Sequence, residues 1–313
     1  MLHSTRFKPT HELRSHKKMD VTKKVLVAGA SGYLGRYAVK EFKERGYYVR
    51  ALVRNPEKLK TSGPHLEPAV YDLVDEIVVG DVTHPESIKG ICKGIDLVFS
   101  SLGLTSPDPR LTSYDVDYLG NKGILNQAIE ERVARFIYIS VFNQDKMAEI
   151  LSIKAHELFV ADLKKSGLSW AVIRPNGYFS DMGRFFSMAQ SGHIFMVGEG
   201  EKKINPVHGA DLAKISADAA EGESQEIAVG GPDIYTFREV MELAFHACGK
   251  NPWITPLPMW LAEGGLMVTG LFNRNLADLL SFAVEALKFD HVAPACGTRH
   301  LKEFFAELAA RKP

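Results

Sequence analysis

The sequence predicts an α/β fold in which a doubly wound parallel sheet is covered by helices on both faces. Short apolar, strand-like runs alternate with helical segments through the first 175 residues, and this alternation is typical of a parallel sheet. A glycine-rich turn joins the first run to the first helix. The alternation stops after Pro175, which predicts a smaller, mostly helical C-terminal lobe.

The first β-α-β unit has the clearest pattern in the chain. A short, apolar, β-branched run at 24–28 (KVLVA) predicts a buried strand. Helical spacing follows at 36–45, with Val39 and Phe42 on one face, and Gly46 ends the helix. The run YVRALV at 48–53 predicts the second strand.

The same alternation continues as far as residue 175. Further strands are predicted at 75–79, 96–100, 135–140 and 169–174. The helices between them are predicted at 85–93, 114–132 and 146–165. Because crossovers between parallel strands are almost always right-handed, these helices should cover both faces of the sheet.

The second lobe is predicted to span 176–313 and to interleave with the sheet near 205–230. Residues 176–204 contain five glycines and are predicted to be loop-rich. A helix is predicted at 211–220, and a late strand at 226–229 is expected to return to the sheet.

The C-terminal part is predicted to be mostly helical from residue 236 onward. Thr236, with Glu239 three residues later, predicts the capped start of a helix over 236–248. The apolar segment 257–272 contains one charged residue, Glu263, and is too short to cross a bilayer. We expect this segment to pack on the second lobe. Docking on a partner protein or a membrane surface remains the alternative.

Composition limits the possible partners and the compartment. Lys and Arg number 38, Asp and Glu also number 38, and the formal net charge is zero. No global field therefore attracts nucleic acid or an anionic membrane, and no nucleic-acid partner is expected. The three cysteines form no C-x-x-C pair, which favours the reducing cytoplasm. The histidines show no H-x-x-x-H or H-E-x-x-H pattern, so no metal site is predicted.

The turn after the first strand has the spacing G-x-x-G-x-x-G. Its first glycine would permit a tight exit from the strand, the second a close approach to pyrophosphate, and the third close packing of helix on sheet. The N–H groups at the helix start would face phosphate. The alternative is a glycine-rich turn in a nucleotide-free α/β protein. We predict a Rossmann-like dinucleotide-binding loop formed by Gly29, Ala30, Ser31, Gly32, Tyr33, Leu34 and Gly35.

These patterns divide the chain into three parts. Residues 20–175 are predicted to form the NAD(P)-binding Rossmann domain, and 176–313 the substrate lobe. Residues 1–19 are basic and lack an apolar run, so we expect a flexible tail. A transit segment, or a translation start at Met19, remains an alternative for this part.

The residue that ends the second strand distinguishes NADP(H) from NAD(H). NAD-preferring units have an acidic residue there, whereas this chain has Arg54. A guanidinium would bind a 2′-phosphate in a fork, and Lys58 would assist it one turn later. NADP(H) is therefore predicted over NAD(H). The alternative for Arg54 is a solvated surface arginine.

Two residues after the third strand are candidates for the adenine site. Asp81 would accept a hydrogen bond from the adenine amino group, and Val82 would pack on the ring. A plain turn or N-cap aspartate is an equally good interpretation of Asp81.

Several motifs across about residues 24–230 carry a family resemblance. They are G-A-S-G-Y-L-G, L-V-R-N, G-D-V, S-S-L-G and I-R-P-N-G-Y-F. With these motifs the chain resembles the atypical and extended short-chain dehydrogenase/reductase superfamily, in particular its NmrA-like NAD(P)-binding group. The later motifs G-G-P-D-I-Y-T-F-R-E-V and G-T-R-H-L-K-E-F-F resemble the divinyl chlorophyllide reductase branch.

The resemblance implies the roles of two residues near the chemistry. It places Ser140 at the active-site serine and Lys154 at the lysine of the Y-x-x-x-K motif. At the tyrosine position of that motif this chain has Ile150, so the usual proton donor is missing. The resemblance also implies further cofactor contacts, on the ribose and nicotinamide side at Ser100, Ser101 and Leu102, and through the backbone to the nicotinamide amide at Pro175, Asn176 and Gly177.

Three other polar or aromatic residues need separate interpretations. Tyr178 is the nearest alternative acid, although it is equally able to stack or pack. Tyr138 lies inside a strand and is expected in the core. His208 is expected to be a structural hydrogen-bond partner, because a lone histidine is more often structural than catalytic.

These observations favour an NADP(H)-dependent reductase acting on a small unsaturated, quinone-like or carbonyl substrate. Hydride transfer needs little from the protein beyond orientation and exclusion of water, so it does not require the missing tyrosine. One alternative is a non-catalytic NADP(H)-binding sensor or assembly factor. A sugar-nucleotide epimerase or dehydratase is the other, against which the missing tyrosine argues.

Overall fold

Residues 22–104 and 110–311 are described by a computed structural model, and the predicted tail at 1–19 lies outside them. In chain order, the strands are β1 Lys24–Ala28, β2 Tyr48–Val53, β3 Glu76–Val79, β4 Leu97–Ser100, β5 Arg135–Ile139, β6 Ser169–Pro175, β7 Ile194–Val197, β8 Lys203–Ile204, β9 Gln225–Val229, β10 Tyr235–Thr236 and β11 Ile254–Leu257. The helices are α1 Tyr33–Glu44, α2 Asn121–Glu130, α3 Leu151–Lys164, α4 Phe179–Ser191, α5 Gly209–Asp218, α6 Phe237–Ala247, α7 Met259–Phe272, α8 Arg274–Glu285 and α9 Leu301–Ala310.

Seven strands form one parallel sheet in the order β3-β2-β1-β4-β5-β6-β9. This sheet confirms the predicted α/β fold. The strand predicted at 226–229 returns to the sheet beside β6, as expected. The strand order reverses between β1 and β4, and ligands of such sheets bind outside the carboxyl ends of the strands at this reversal.

Both faces of the sheet are covered, because β1 is apolar on both of its sides. Val25 and Val27 belong to a core shared with α1 and α5. Leu26 and Ala28 belong to a second core shared with α2 and α3. A strand buried on both faces must be apolar throughout, which explains the run KVLVA.

Two of the predicted crossover helices differ from the structure. The helix predicted at 85–93 is wrong: a single 3-10 turn, Pro85–Ile88, forms there. The helix predicted at 114–132 begins with a π-helical stretch, Tyr114–Gly120, before α2. Hydrophobic spacing over so few residues does not distinguish a turn or a wider helix from a regular α-helix.

The second lobe has its own core, formed by apolar residues of α4, α6, α9 and β7. The prediction of a loop-rich 176–204 is wrong, because α4 occupies 13 of these residues. The contacts that α4 makes in the second-lobe core decide the conformation of this segment, and its glycines do not. The capped helix start at Thr236 is confirmed: Thr236 accepts a hydrogen bond from the N–H of Glu239, whose carboxylate accepts one in return.

Helix α7 is the largest departure from expectation. We expected it to pack on the second lobe, but none of its residues is buried, and it lies beside α8. Leu271 and Phe272 are 79% and 86% exposed. Among the described residues, no helix is both long enough and apolar enough to span a membrane.

Candidate cofactor and active site

The turn between β1 and α1 has the backbone geometry that its glycine spacing predicts. Gly29 has a φ of +82°, a left-handed conformation that favours glycine. The N–H of Gly32 donates to the carbonyl oxygen of Gly29 at 2.9 Å, which closes the turn. A Cβ at residue 35 would lie 2.0 Å from that oxygen, so glycine is required for α1 to begin this close to the turn.

The start of α1 is accessible to an anion. Gly32 is the exposed N-cap and has no side chain, and the first turn carries no acidic residue. The N–H groups of this turn carry the partial positive charge of a helix start, which suits phosphate oxygens. Ala30 and Leu34 are buried beneath the turn.

Two further contacts hold the turn in place. The half-buried Ser31 uses its carbonyl oxygen to accept a hydrogen bond from Arg36 at 3.1 Å. The hydroxyl of Tyr33 accepts one from the N–H of Gly209 at 3.0 Å, and burial raises the pKa of this tyrosine. The turn is therefore joined to the start of α5.

Arg54 and Asp81 lie at the carboxyl ends of neighbouring strands. Arg54 directly follows β2 and is exposed. One carboxylate oxygen of Asp81 accepts hydrogen bonds from the N–H and hydroxyl of Thr83, at 2.9 and 2.7 Å. Partial burial favours a raised pKa of Asp81, but the Thr83 hydrogen bonds and the charge of Arg54 outweigh it and lower the pKa. Asp81 thus forms a turn, and its adenine contact stays a prediction, as does that of the half-buried Val82.

The segment after β4 lies against the glycine turn. A Cβ at Gly29 would approach the hydroxyl oxygen of Ser101 to 3.2 Å. The hydroxyl of the buried Ser100 donates to the amide oxygen of Asn121 at 2.6 Å, and the Asn121 amide donates to the carbonyl oxygen of Leu102 at 3.3 Å. The structure therefore brings two of the predicted cofactor segments together at the reversal of strand order.

Ser140 is part of a buried ionic network. Its hydroxyl donates to Glu157 at 3.0 Å and accepts from Arg174 at 3.0 Å. The Arg174 guanidinium also pairs with Glu157 and with Glu226. Burial opposes the charge of Arg174, but the hydrogen bonds that it donates to these two carboxylates raise its pKa. The hydroxyl hydrogen of Ser140 is thus already used inside the protein, and its catalytic role stays a prediction.

Lys154 lies in the first turn of α3 and is exposed. Its ammonium pairs with Glu149 at 2.9 Å. We expected Ile150 and Lys154 to share one face of a helix beginning at 146, but Ile150 is the N-cap of α3 and packs with Met147 and Ile153. The ribose contact of Lys154 stays a prediction.

The backbone after β6 enters the second lobe through a buried polar cluster. The Asn176 amide donates to the carbonyl oxygen of His291 at 2.6 Å and also to the amide oxygen of Asn205. Asn205 in turn donates to the carbonyl oxygens of Gly231 and Ala293, at 3.0 and 2.9 Å. These bonds fix the position of Asn176 just beyond the carboxyl end of β6. The nicotinamide contacts of Pro175, Asn176 and Gly177 stay predictions.

Tyr178 is half-buried at the start of α4, with its ring edge-on to Tyr33 at 6.0 Å between centroids. Burial raises the pKa of Tyr178, so it remains protonated at neutral pH. His208 is a structural partner, as expected, because its Nδ1 accepts from the N–H of Ala210 at 3.0 Å and caps α5.

A family model described as NAD(P)H-binding matches residues 29–221. The chain belongs to this NAD(P)H-binding family. Curated relatives include the photosystem II assembly factor Ycf39 of Cyanophora paradoxa, 25% identical over 82% of this chain and 79% of that one. They also include the Arabidopsis thaliana chloroplastic divinyl chlorophyllide a 8-vinyl-reductase, 25% identical over 86% of this chain and 67% of that one.

Solved structures share the fold of this NAD(P)H-binding protein. The NADPH-dependent quinone oxidoreductase QOR2 of Escherichia coli, in complex with NADPH, has a TM-score of 0.71 and 18% identity, covering 91% of this chain and 99% of that one. The triphenylmethane reductase of Citrobacter has a TM-score of 0.69 and 18% identity, covering 93% and 100%. The family match and these neighbours confirm the resemblance to atypical short-chain dehydrogenases/reductases.

Sequence reasoning missed one polar cluster of this NAD(P)H-binding protein. The hydroxyl of Tyr138 and the Nδ1 of His156 form a hydrogen bond at 2.5 Å. The helical spacing of the residues in α3 could have indicated that His156 faces the sheet. His156 falls between the buried Ile153 and Val160 on one face of α3, whereas Lys154 falls on the opposite face at 100° per residue.

Proposed function

We propose that the chain is an NADP(H)-dependent reductase of a small unsaturated, quinone-like or carbonyl acceptor. The observation that carries this proposal is the glycine turn, open at Gly32 and followed at the end of β2 by the exposed Arg54. An anion-binding helix start and an exposed guanidinium are the two features that a cofactor with a 2′-phosphate needs.

The residues present fit such a cofactor. The turn at 29–35 would hold the pyrophosphate, because Gly32 leaves the main chain uncovered. Arg54 would bind the 2′-phosphate, with Asp81 and Val82 near the adenine. The ribose and nicotinamide would lie along 100–102 and 175–177. When bound, the cofactor supplies a hydride.

The name of one curated relative supports an unsaturated acceptor, because that relative is a divinyl chlorophyllide a 8-vinyl-reductase. The quinone oxidoreductase and the triphenylmethane reductase, both at 18% identity, show the shared fold alone. Ile150 at the tyrosine position argues against alcohol oxidation by the usual route, whereas reduction of a conjugated system requires orientation, exclusion of water and one proton.

Fluorescence titration with NADPH and NADH tests the cofactor assignment. We expect the unaltered chain to bind NADPH at least about tenfold more tightly than NADH, a difference of about 1.4 kcal/mol. Arg54→Asp should remove this difference, because a carboxylate repels the 2′-phosphate. Lys302→Asp, the same charge change at an exposed residue of α9, should leave both affinities unchanged. Equal affinities in the unaltered chain would refute the role of Arg54.

A non-catalytic NADP(H)-binding assembly factor is the second candidate. The surface of α7 favours it, because none of the residues of this apolar helix is buried and contiguous apolar surface marks interaction sites. One relative is also named an assembly factor. Tight NADPH binding without oxidation by any unsaturated, quinone or carbonyl acceptor would favour this candidate over the reductase.

An epimerase or dehydratase activity is not proposed. A nucleoside-diphosphate-sugar epimerase of Staphylococcus aureus is a structural neighbour at 17% identity, which shows the shared fold alone. Ile150 stands where such chemistry would need the tyrosine.

A further inference from the structure

The side of α7 that points away from α8 is an uncharged apolar surface about 21 Å long, at 1.5 Å per residue. On a helical wheel, the half-buried residues of α7 fall on one side, where α8 packs, and they are Met259, Ala262, Leu266 and Thr269. The opposite side, an arc of about 160°, carries exposed residues, namely Trp260, Leu261, Gly264, Gly265, Met267, Val268, Leu271 and Phe272. These eight residues form the apolar face of α7.

The area of the apolar face matches one half of a dimer interface. Trp260 and Phe272 are 70% and 86% exposed. Since a whole aromatic side chain has about 150–250 Å² to bury, the six large side chains of the face together expose roughly 700 Å². The largest apolar patch of a typical monomer is about 300–600 Å², whereas each partner of a stable complex buries about 800 Å². The face therefore has the area that one copy contributes to a dimer.

The spacing along the apolar face is that of a helix that pairs with a second helix. The central residues Leu261, Gly264, Val268 and Leu271 follow one another at intervals of three, four and three, which are the a and d positions of a heptad. In an antiparallel pair with its two-fold axis beside residue 266, Val268 opposes Gly264 of the second copy, and Leu261 opposes Leu271. A Cβ at Gly264 would have no atom within 4 Å, so the valine of the second copy has an open recess to fill. The face is therefore complementary to itself.

The charges around α7 also favour a second copy over a lipid surface. Glu263 is the only charged residue of α7, and it lies outside the apolar face, where its carboxylate pairs with Lys288 at 2.9 Å. Two such faces therefore meet without burying an unpaired charge. Lys288 also pairs with Glu285, and the formal net charge of the chain is zero, so anionic headgroups gain little attraction. The glycine recess would bury no side chain in a bilayer, whereas a second copy fills it.

We propose that the chain forms an antiparallel dimer through α7, with the apolar face of one copy packed on the same face of a second copy. This inference does not rest on the reductase activity. The two α7–α8 hairpins then form a four-helix arrangement that the two-fold axis closes. An interface near the lower end of the standard size gives a dissociation constant on the order of 10 μM. In a solution of about 1 μM the chains are therefore separate, and α7 is exposed.

Sedimentation velocity of the full chain between about 1 and about 200 μM tests the dimer, because this range spans the expected dissociation constant. We expect the unaltered chain to change from monomer to dimer across the range. Val268→Lys places an ammonium at the centre of the interface and should raise the dissociation constant at least about 100-fold. Val79→Lys is the matched control, because Val79 at the end of β3 is 60% exposed and Val268 is 56% exposed. The control should dimerise like the unaltered chain.

A mixture of two variants tests the antiparallel register. Gly264→Glu alone should remain monomeric, because it places a carboxylate against Val268 of the second copy. An equal mixture of Gly264→Glu and Val268→Lys should form a one-to-one pair, since the introduced carboxylate and ammonium then oppose each other. A mixture that stays monomeric would overturn the antiparallel register.

Two other outcomes would overturn the dimer itself. One is an unaltered chain that is still monomeric at about 200 μM, well above the expected dissociation constant. The other is a Val268→Lys variant that dimerises as strongly as the unaltered chain. A monomeric chain that binds phosphatidylcholine vesicles, and loses this binding in Val268→Lys, would assign the apolar face to a lipid surface instead.

Discussion

Replacing Gly32 and Gly35 separately by alanine should distinguish two roles of the glycine turn, cofactor binding at Gly32 and helix packing at Gly35. Both glycines lie within three residues on the same element. A Cβ at residue 35 would lie 2.0 and 2.7 Å from the carbonyl oxygen and carbon of Gly29 and 2.9 Å from the Cα of Ala30. All three are backbone atoms, so they cannot rotate away. At residue 32 the nearest atom would be 3.3 Å away, and φ there is −78°, which alanine adopts freely.

The magnitudes follow from these distances. Overpacking typically costs about 1–3 kcal/mol, and the gain in helix propensity from glycine to alanine returns about 1 kcal/mol. Because the new Cβ of Gly35→Ala would contact backbone atoms, we use the upper end of the overpacking cost. After the gain in helix propensity, the free energy of unfolding should fall by about 2 kcal/mol. Gly32→Ala should change it by less than about 1 kcal/mol. The methyl group of that variant would cover the main chain at the pyrophosphate site, and NADPH affinity should fall at least about tenfold.

Urea denaturation and NADPH titration measure the two effects on the same samples. Gly265→Ala in α7 is the matched control, because it offers the same gain in helix propensity with no atom within 4 Å of the new Cβ. It should stabilise the chain by up to about 1 kcal/mol and leave cofactor binding unchanged. A Gly32→Ala variant with unaltered NADPH affinity, or a Gly35→Ala variant as stable as Gly265→Ala, would refute the reasoning.

Three further substitutions test other parts of the structure. Arg174→Met removes the guanidinium that pairs with Glu157 and Glu226 and leaves Glu226 paired with Lys164. Since both carboxylates are partly solvated, we expect a loss of about 2 kcal/mol in urea denaturation; an unchanged midpoint would contradict it. Burial lowers the pKa of His208 to about 4, below the usual 6.5 of the unfolded chain, so the folded state is penalised when this ring is protonated. The stability that depends on a neutral His208 is complete above pH 6.5 and is lost as the pH falls towards 4, by roughly 3 kcal/mol. His208→Asn retains a capping side chain and should reduce this fall in the free energy of unfolding. Part of the fall should remain, because burial gives His291 a pKa of about 4 as well. Leu271→Lys, at a side chain that is 79% exposed, should alter stability by less than about 0.5 kcal/mol and reduce binding of a hydrophobic dye; a large destabilisation would show that α7 is packed in solution.

Local patterns were sufficient for the first β-α-β unit. The strands at 24–28 and 48–53, the turn at Gly29 and the packing of Gly35 all follow from interactions within about thirty residues. The capped start at Thr236 was equally readable, because its two hydrogen bonds span three residues. The late strand at 226–229 could also be predicted, from the short apolar run at 227–229, although β9 is an edge strand in which only Val229 is buried.

Contacts between distant segments decided the rest. Glycines suggested a loop at 176–204, yet the second-lobe core holds α4 there as a helix. Motif spacing directed attention to Lys154, but the face of α3 that meets the sheet carries His156. The network of Ser140 depends on Arg174 and Glu157, which are brought together by β5, β6 and α3.

The sequence by itself determined that a dinucleotide-type turn exists and where its helix begins, because those interactions are local in the chain. Tertiary structure alone decided that Ser140 is bonded inside the protein, that His156 meets Tyr138, and that the apolar helix α7 remains exposed. The physical reason is that burial and hydrogen-bond partners depend on which surfaces meet. Residues 18 apart, such as Tyr138 and His156, meet only after the sheet and its covering helices have packed.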